Sequence, residues 1–461
     1  MVEVPVAADR WDAGSTDLHV REQGTTSATE EFVASFPQHL WEPLGIKATR
    51  TPGQPDWTIR ASDRVGIMRV DVGGTAAHIR ITPKLPDLDL FFLADWAYGS
   101  SSTTKSLLSG RAELDAVRSE PAACLLAWYL AEAVAFATRW VRRGYVTREE
   151  ELVGRVRGRI DTTRYIRNSL ASARPHVVPC RYTEPSDNTR PNQYLKLGVR
   201  RAAALAHLVP NAGARRFLLE LSRRGLALLA SVDDVQMTPR HGRRLNLAGP
   251  LRHYRPITDF TTALLEGTYV GTEVGAHGQQ AILWPLNLLY EQSLRNILDG
   301  WHGGVLDKRS LRATVVAPNG KRLGSSRVTP DFVLSTDSTA LALDAKYKDV
   351  RVADELVTED SEVVDVAPTA RERVRLRRSD VYQAVAYGRH DGLRPAVVCL
   401  IYPVTLAPDE PYPDLIRVEG FDPVVNVLFM DVGPRAAGNV AALYAALDKI
   451  AAATPAQVGA V

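Results

Sequence analysis

Thr329-Pro-Asp-Phe-Val-Leu-Ser-Thr-Asp-Ser-Thr-Ala-Leu-Ala-Leu-Asp-Ala-Lys-Tyr-Lys348 consists of two apolar runs joined by a polar turn. Runs of this length, bounded by turn residues, predict a buried β-hairpin. Its charged residues need a separate reason. Asp331 opens the first strand, and Asp344 and Lys346 stand two apart at the end of the second, so the pleat puts that pair on one face. Phosphodiester hydrolysis needs a divalent cation, acidic oxygens to hold it, and a group that orients or deprotonates the attacking water. Asp331 and Asp344 are the candidate metal ligands, with the Ala345 carbonyl completing the shell. A hard oxygen set of this kind suits Mg²⁺, with Mn²⁺ as the alternative. Lys346 is suited to assist the nucleophile or the charged transition state.

Outward from the hairpin, Pro285 to Leu298 reads as an amphipathic helix, on which Glu291 can add a carboxylate to the same cation or to a water on it. A solvated helix face is the other account of Glu291. Downstream, Asp380 to Gly388 reads as a helix and Ala396 to Tyr402 as a strand. Gln383 and Tyr387 are one helical turn apart, so both can face the hairpin and orient phosphate or Lys346. The order helix, hairpin, helix, strand is α/β in character. Arg371 to Arg378 is the basic run that leads into the Gln383 helix, which makes Arg373, Arg375, Arg377 and Arg378 candidate DNA contacts.

Between Phe32 and Lys84, short alternating segments such as Gly66-Ile-Met-Arg-Val-Asp-Val and Ala77-His-Ile-Arg-Ile are punctuated by Gly and Pro. Ala122 to Arg142 and Asn192 to Ala230 carry apolar residues at helical spacing, and Leu247 to Thr258 reads as a break. The expected architecture is therefore α/β in three parts: a β-rich N-terminal domain over 1–95, a mostly helical middle region over 96–265, and a mixed sheet flanked by helices over 266–461. Thr454 to Val461 reads as a frayed tail.

The chain has 461 residues, 24% of them charged, yet a formal net charge of only +3. Any DNA-binding surface must then be local. Cys124, Cys180 and Cys399 are far apart and form no CxxC, which argues against structural zinc and a secreted disulfide scaffold. The N-terminus lacks a basic and apolar leader pattern, and Glu132 and Arg139 interrupt the most apolar stretch, so a soluble cytoplasmic protein is expected. Gly99-Ser-Ser-Ser-Thr-Thr-Lys-Ser differs from a phosphate-binding loop by Thr104 where glycine belongs, and reads instead as a flexible polar loop. His176 and Cys180 are four apart, but Pro175 and Pro179 exclude the helix that would pair them on a metal.

The hairpin and its flanks resemble the PD-(D/E)xK nuclease superfamily. More of the chain resembles the McrC family, the nuclease subunits of McrBC 5-methylcytosine restriction systems: Ile79-Arg-Ile-Thr-Pro-Lys-Leu, Gly154 to Arg159, Cys180 to Lys196, Trp284-Pro-Leu-Asn-Leu-Leu-Tyr-Glu, Asp380-Val-Tyr-Gln-Ala-Val-Ala-Tyr and Ile401-Tyr-Pro. The resemblance implies a PD-(D/E)xK core and a DNA endonuclease of a modification-dependent (type IV) antiviral restriction complex. It also implies a partner, an McrB-like AAA+ GTPase motor that recognises modified DNA and is stimulated by this subunit, with the N-terminal domain as the candidate contact. Two other readings stay open: a self-sufficient PD-(D/E)xK repair nuclease or exonuclease, and a mainly regulatory subunit of an AAA+ GTPase.

Overall fold

A computed structural model describes residues 17–453 apart from 36–40, 42–44, 73–74, 111, 142, 271–279, 308–311, 317–321, 328, 337–338, 351–362, 370–371, 391–392 and 394–395. The expected leader-free N-terminus and the tail after Thr454 lie outside the described residues. The chain divides into two compact units, one of residues 1–100, 119–125 and 269–461 and the other of 101–118 and 126–268.

In the first unit the N-terminal and C-terminal parts of the sequence fold together. The strand Gln280–Pro285 pairs antiparallel with Arg64–Val72, from Gln280 opposite Arg69 to Pro285 opposite Arg64. The resulting five-stranded sheet runs Asp17–Arg21, Thr75–Thr82, Arg64–Val72, Gln280–Pro285, Thr268–Val270. Gly66 makes the close pairing feasible: its φ of +144° is open to glycine, and a Cβ there would collide with the Ile282 carbonyl. Leu18, Val20, Met68, Ile79, Ile81, Ala281 and Leu283 form one core with Phe32 and Trp41.

The second sheet of this unit has six strands in the order Val305–Asp307, Phe332–Ser335, Ala340–Ala345, Ala396–Val404, Val425–Asp431, Ile416–Val418. The expected hairpin is its centre: Phe332 lies opposite Leu343 and Ser335 opposite Ala340, antiparallel. Ala340–Ala345 then pairs in parallel with Ala396–Val404. A parallel neighbour requires a crossover, and the helix Arg378–Gly388 supplies it. Its Val381 and Ala384 pack on Val398 and Leu400, which anchors the helix to the sheet. The helix Leu286–Asp299 follows directly on Gln280–Pro285 and buries Leu289, Tyr290, Leu294 and Ile297. It docks on the helix Leu90–Tyr98 through Ser293, whose hydroxyl donates to the Leu93 carbonyl at 2.7 Å, and Asn296, whose amide donates to that of Trp96 at 2.7 Å.

The second unit is helical at its core. Trp128 and Tyr129, from the helix Pro121–Trp140, pack on Phe260 of Arg255–Glu266. That first helix is long and apolar enough to cross a membrane, but most of it is buried in the fold. Three sequence expectations are corrected here. The middle region also contains a three-stranded antiparallel sheet of Gly144–Val153, Val177–Ser186 and Arg159–Ile160. Part of the expected break at Leu247 to Thr258 is helical, with a tight turn of helix over Gly249–Tyr254 running into Arg255–Glu266. The stretch resembling a phosphate loop is a capped helix, Ser102–Leu107, with Ser101 accepting from the Thr104 amide. Thr104 is buried there and its hydroxyl donates to the Glu132 carboxylate, so this one polar residue faces the protein.

Candidate active site

Alternation along the two hairpin strands decides which side chains share a face. Val333, Ala340 and Ala342 pack with Tyr387 of the Arg378–Gly388 helix, so Asp331, Asp344 and Tyr387 lie on the same side of the sheet. Asp331 stands just before Phe332 and takes the Ala345 amide on Oδ2 at 2.8 Å. This bond ties the start of one strand to the end of the other. Asp344 is 2% exposed, and its Oδ2 is buried. The Lys346 ammonium forms an ion pair with that oxygen and donates to Gln383 Oε1 at 2.8 Å. The Gln383 amide in turn donates to the Tyr387 hydroxyl at 2.6 Å.

The electrostatics follow from two acids at one half-buried point. Burial pushes the Asp331 carboxyl up to about 7, and the neighbouring Asp344 charge adds to the rise, while the Ala345 amide opposes it. Burial and then the Asp344 charge also raise Tyr387, so its hydroxyl stays protonated. A divalent cation between Asp331 and Asp344 would relieve this repulsion. The residues present therefore fit such an ion. The fit is for a metal that keeps water: among the described residues no group of three or more His, Cys, Asp or Glu side chains is gathered to hold one.

The structure brings Asp331, Asp344, Lys346, Gln383 and Tyr387 together, with Ala345 between the two strands that carry the acids. Glu291 stands further off. It pairs with Arg295 at 3.6 Å one helical turn along, and its charge is felt at Asp331 as a small upward push. Arg377 and Arg378 are exposed where the Gln383 helix begins. Arg373 and Arg375 fall on the strand Glu372–Arg377, and their side chains lie outside the described residues. His176 and Cys180 are not a pair; Cys180 is buried on the strand Val177–Ser186.

Sequence reasoning missed three residues beside this site. Lys348 donates to both oxygens of Asp380 at 2.7 Å, and the Tyr402 hydroxyl donates to Asp380 Oδ2 at 3.0 Å. The available signals were the second lysine of Lys-Tyr-Lys and an acid three residues before Gln383. A further buried group lies behind Tyr347. Lys84 sits 4.2 Å from its ring centroid and 3.7 Å from Glu22 Oε1.

The model of the family described as McrBC 5-methylcytosine restriction system component matches residues 59–403. The chain belongs to that family. The McrBC match takes in Lys84 and every residue of the site from Glu291 to Tyr402, and ends before the strand Val425–Asp431. In solved structures, a chain of the half-complex from the tetradecameric assembly of Thermococcus gammatolerans McrB AAA+ hexamers with bound McrC is similar at 18% identity. The alignment covers 94% of this McrBC-family chain and 100% of that one, with a TM-score of 0.55. At that identity the likeness concerns the fold. A chain of the Thermococcus gammatolerans McrBC complex matches at 16% identity over 62% of this chain and 88% of the other, with a TM-score of 0.41. No curated protein matches.

Proposed function

We propose that this McrBC-family protein is a Mg²⁺-dependent DNA endonuclease subunit with a PD-(D/E)xK core, cutting modified DNA together with an McrB-like AAA+ GTPase that it stimulates. The observation that carries the reading is the meeting of Asp331, Asp344 and Lys346 at the end of the hairpin, with Gln383 holding the lysine. Asp331 and Asp344 would hold the cation, with the Ala345 carbonyl and water completing its shell. When bound, that ion supplies charge neutralisation at the phosphate and acidifies a water.

The protein's own groups do the rest. Lys346, fixed between Asp344 and Gln383, puts a positive charge where phosphate oxygens gain negative charge. Tyr387 holds the far end of Gln383, so the amide cannot turn away. Arg377 and Arg378, at the entrance to the same helix, are suited to the DNA backbone. The three cysteines are free and buried, which agrees with work in a reducing cytoplasm. The partner is supported by family membership together with the similar Thermococcus gammatolerans assembly, whose description names McrB AAA+ hexamers with bound McrC.

The test is cleavage of methylated DNA by the full chain with its AAA+ partner, Mg²⁺ and GTP, comparing wild type with Asp331→Ala, Asp344→Ala and Lys346→Ala. Each variant is expected to lose cutting and keep GTPase stimulation. Normal cutting by Asp344→Ala would sink the nuclease assignment. Cutting by wild type with Mg²⁺ alone at the full rate would remove the partner from it.

A further inference from the structure

We propose that Asp380 and Lys348 are positioning residues for Lys346: their ion pair sets the placement of the Gln383 helix against the end of the hairpin. This deepens the nuclease reading and rests on it. Beyond Ala345 the chain leaves the sheet in a tight turn, closed by the Lys348 amide on the Lys346 carbonyl at 2.7 Å. The two ammonium groups then go to different places. Lys346 reaches Asp344 and Gln383, while Lys348 reaches Asp380.

Asp380 is 4% exposed, in the first turn of the helix, three residues before Gln383 and seven before Tyr387. Those spacings keep all three on neighbouring positions of one face. A buried carboxylate is costly unless its oxygens are well bonded, and here Lys348 and Tyr402 supply three donors. The apolar contacts of Val381 and Ala384 with Val398 and Leu400 hold the helix to the sheet, but such contacts are not directional. The ion pair is directional: sliding the helix along the sheet would leave a buried carboxylate without partners. Fixed in this way, the helix presents Gln383 Oε1 to Lys346.

The experiment uses the full chain with its AAA+ partner, Mg²⁺, GTP and methylated DNA, and compares Asp380→Asn, Gln383→Ala and the double variant, with Asp344→Ala as control. Asp380→Asn is expected to lower kcat about tenfold or more while KM stays within about twofold. Mn²⁺ affinity of the chain alone, measured by calorimetry, is expected to stay within about twofold, because Asp380 is not a ligand. The double variant is expected to be no slower than Gln383→Ala alone, since one residue acts through the other. Lys348→Arg, which keeps the charge, is expected to retain most of the rate. If Asp380→Asn does not fold, Tyr402→Phe removes one of the three donors at nearly constant volume and is expected to lower kcat in the same sense. A wild-type rate in whichever of these two variants folds, or losses that multiply in the double variant, overturns the proposal. Loss of cutting in Asp344→Ala alongside either result leaves the nuclease reading standing, whereas cutting by Asp344→Ala removes that reading itself.

Discussion

Replacing Asp331 by asparagine should make the metal-free protein more stable at neutral and alkaline pH, even though it removes a proposed metal ligand. Asparagine keeps an oxygen for the Ala345 amide and cannot ionise. In the fold the Asp331 carboxyl is pushed from an ordinary 3.8 up to about 7, by burial first and by Asp344 second. The folded state therefore keeps a proton that the unfolded chain releases. The stability tied to that proton is fully present below about pH 4, falls as pH rises, and is gone above about pH 7. A carboxyl moved that far accounts for at most about 4 kcal/mol. Because Asp331 keeps some contact with solvent and shares its surroundings with Asp344, about half of this, about 2 kcal/mol, is the expected difference. The assay is thermal unfolding of wild type and Asp331→Asn in EDTA from pH 5 to pH 8. The variant should gain on wild type steadily across that range and lead by a few degrees at its upper end. Mg²⁺ at about 100 times its dissociation constant should then stabilise the wild type by about 2.7 kcal/mol and leave the variant almost unmoved. Parallel pH curves for the two proteins, or a variant less stable at pH 8, would refute the argument that burial and the neighbouring Asp344 keep a proton on Asp331 in the absence of a cation.

Three other outcomes are expected. Tyr387→Phe removes the acceptor for the Gln383 amide, and cleavage by the assembled complex should fall about tenfold while Mn²⁺ binding by calorimetry holds. Arg377→Ala and Arg378→Ala should weaken DNA binding without regard to sequence, each lowering the slope of log affinity against log salt by about 1 in a fluorescence titration. Thr104→Val takes one donor from the half-buried Glu132 carboxylate and should cost about 1–3 kcal/mol in chemical denaturation followed by circular dichroism.

How much of this was legible depended on whether the cause of a feature is local. The hairpin, the helix Leu286–Asp299 and the helix Arg378–Gly388 were readable because each buries a continuous apolar pattern, and Asp331, Asp344, Lys346 and Gln383 stand out against it. The strand Gly144–Val153 was missed for the opposite reason. Most of its residues are exposed, so Thr-Arg-Glu-Glu-Glu carries no alternation of apolar and polar side chains. The pairing of Gln280–Pro285 with Arg64–Val72 leaves no local trace, since each segment reads as a strand whatever its neighbour. Asp380 and Lys348 look like surface charges in the sequence, and only the Arg378–Gly388 crossover brings them together. Thr104 was read as a loop residue because its partner, Glu132, lies on another helix.

The nesting of one unit inside the other bears on the order in which the chain matures during synthesis. Residues 101–118 and 126–268 are complete, apart from the short 119–125 segment, before any strand of the six-stranded sheet has been made. The pairing of Arg64–Val72 with Gln280–Pro285, and that of Ala340–Ala345 with its parallel neighbour Ala396–Val404, must wait for the later strand in each case. Contacts so distant in sequence close late. A polypeptide released early from the ribosome would therefore carry Asp331, Asp344 and Lys346 without the sheet that aligns them.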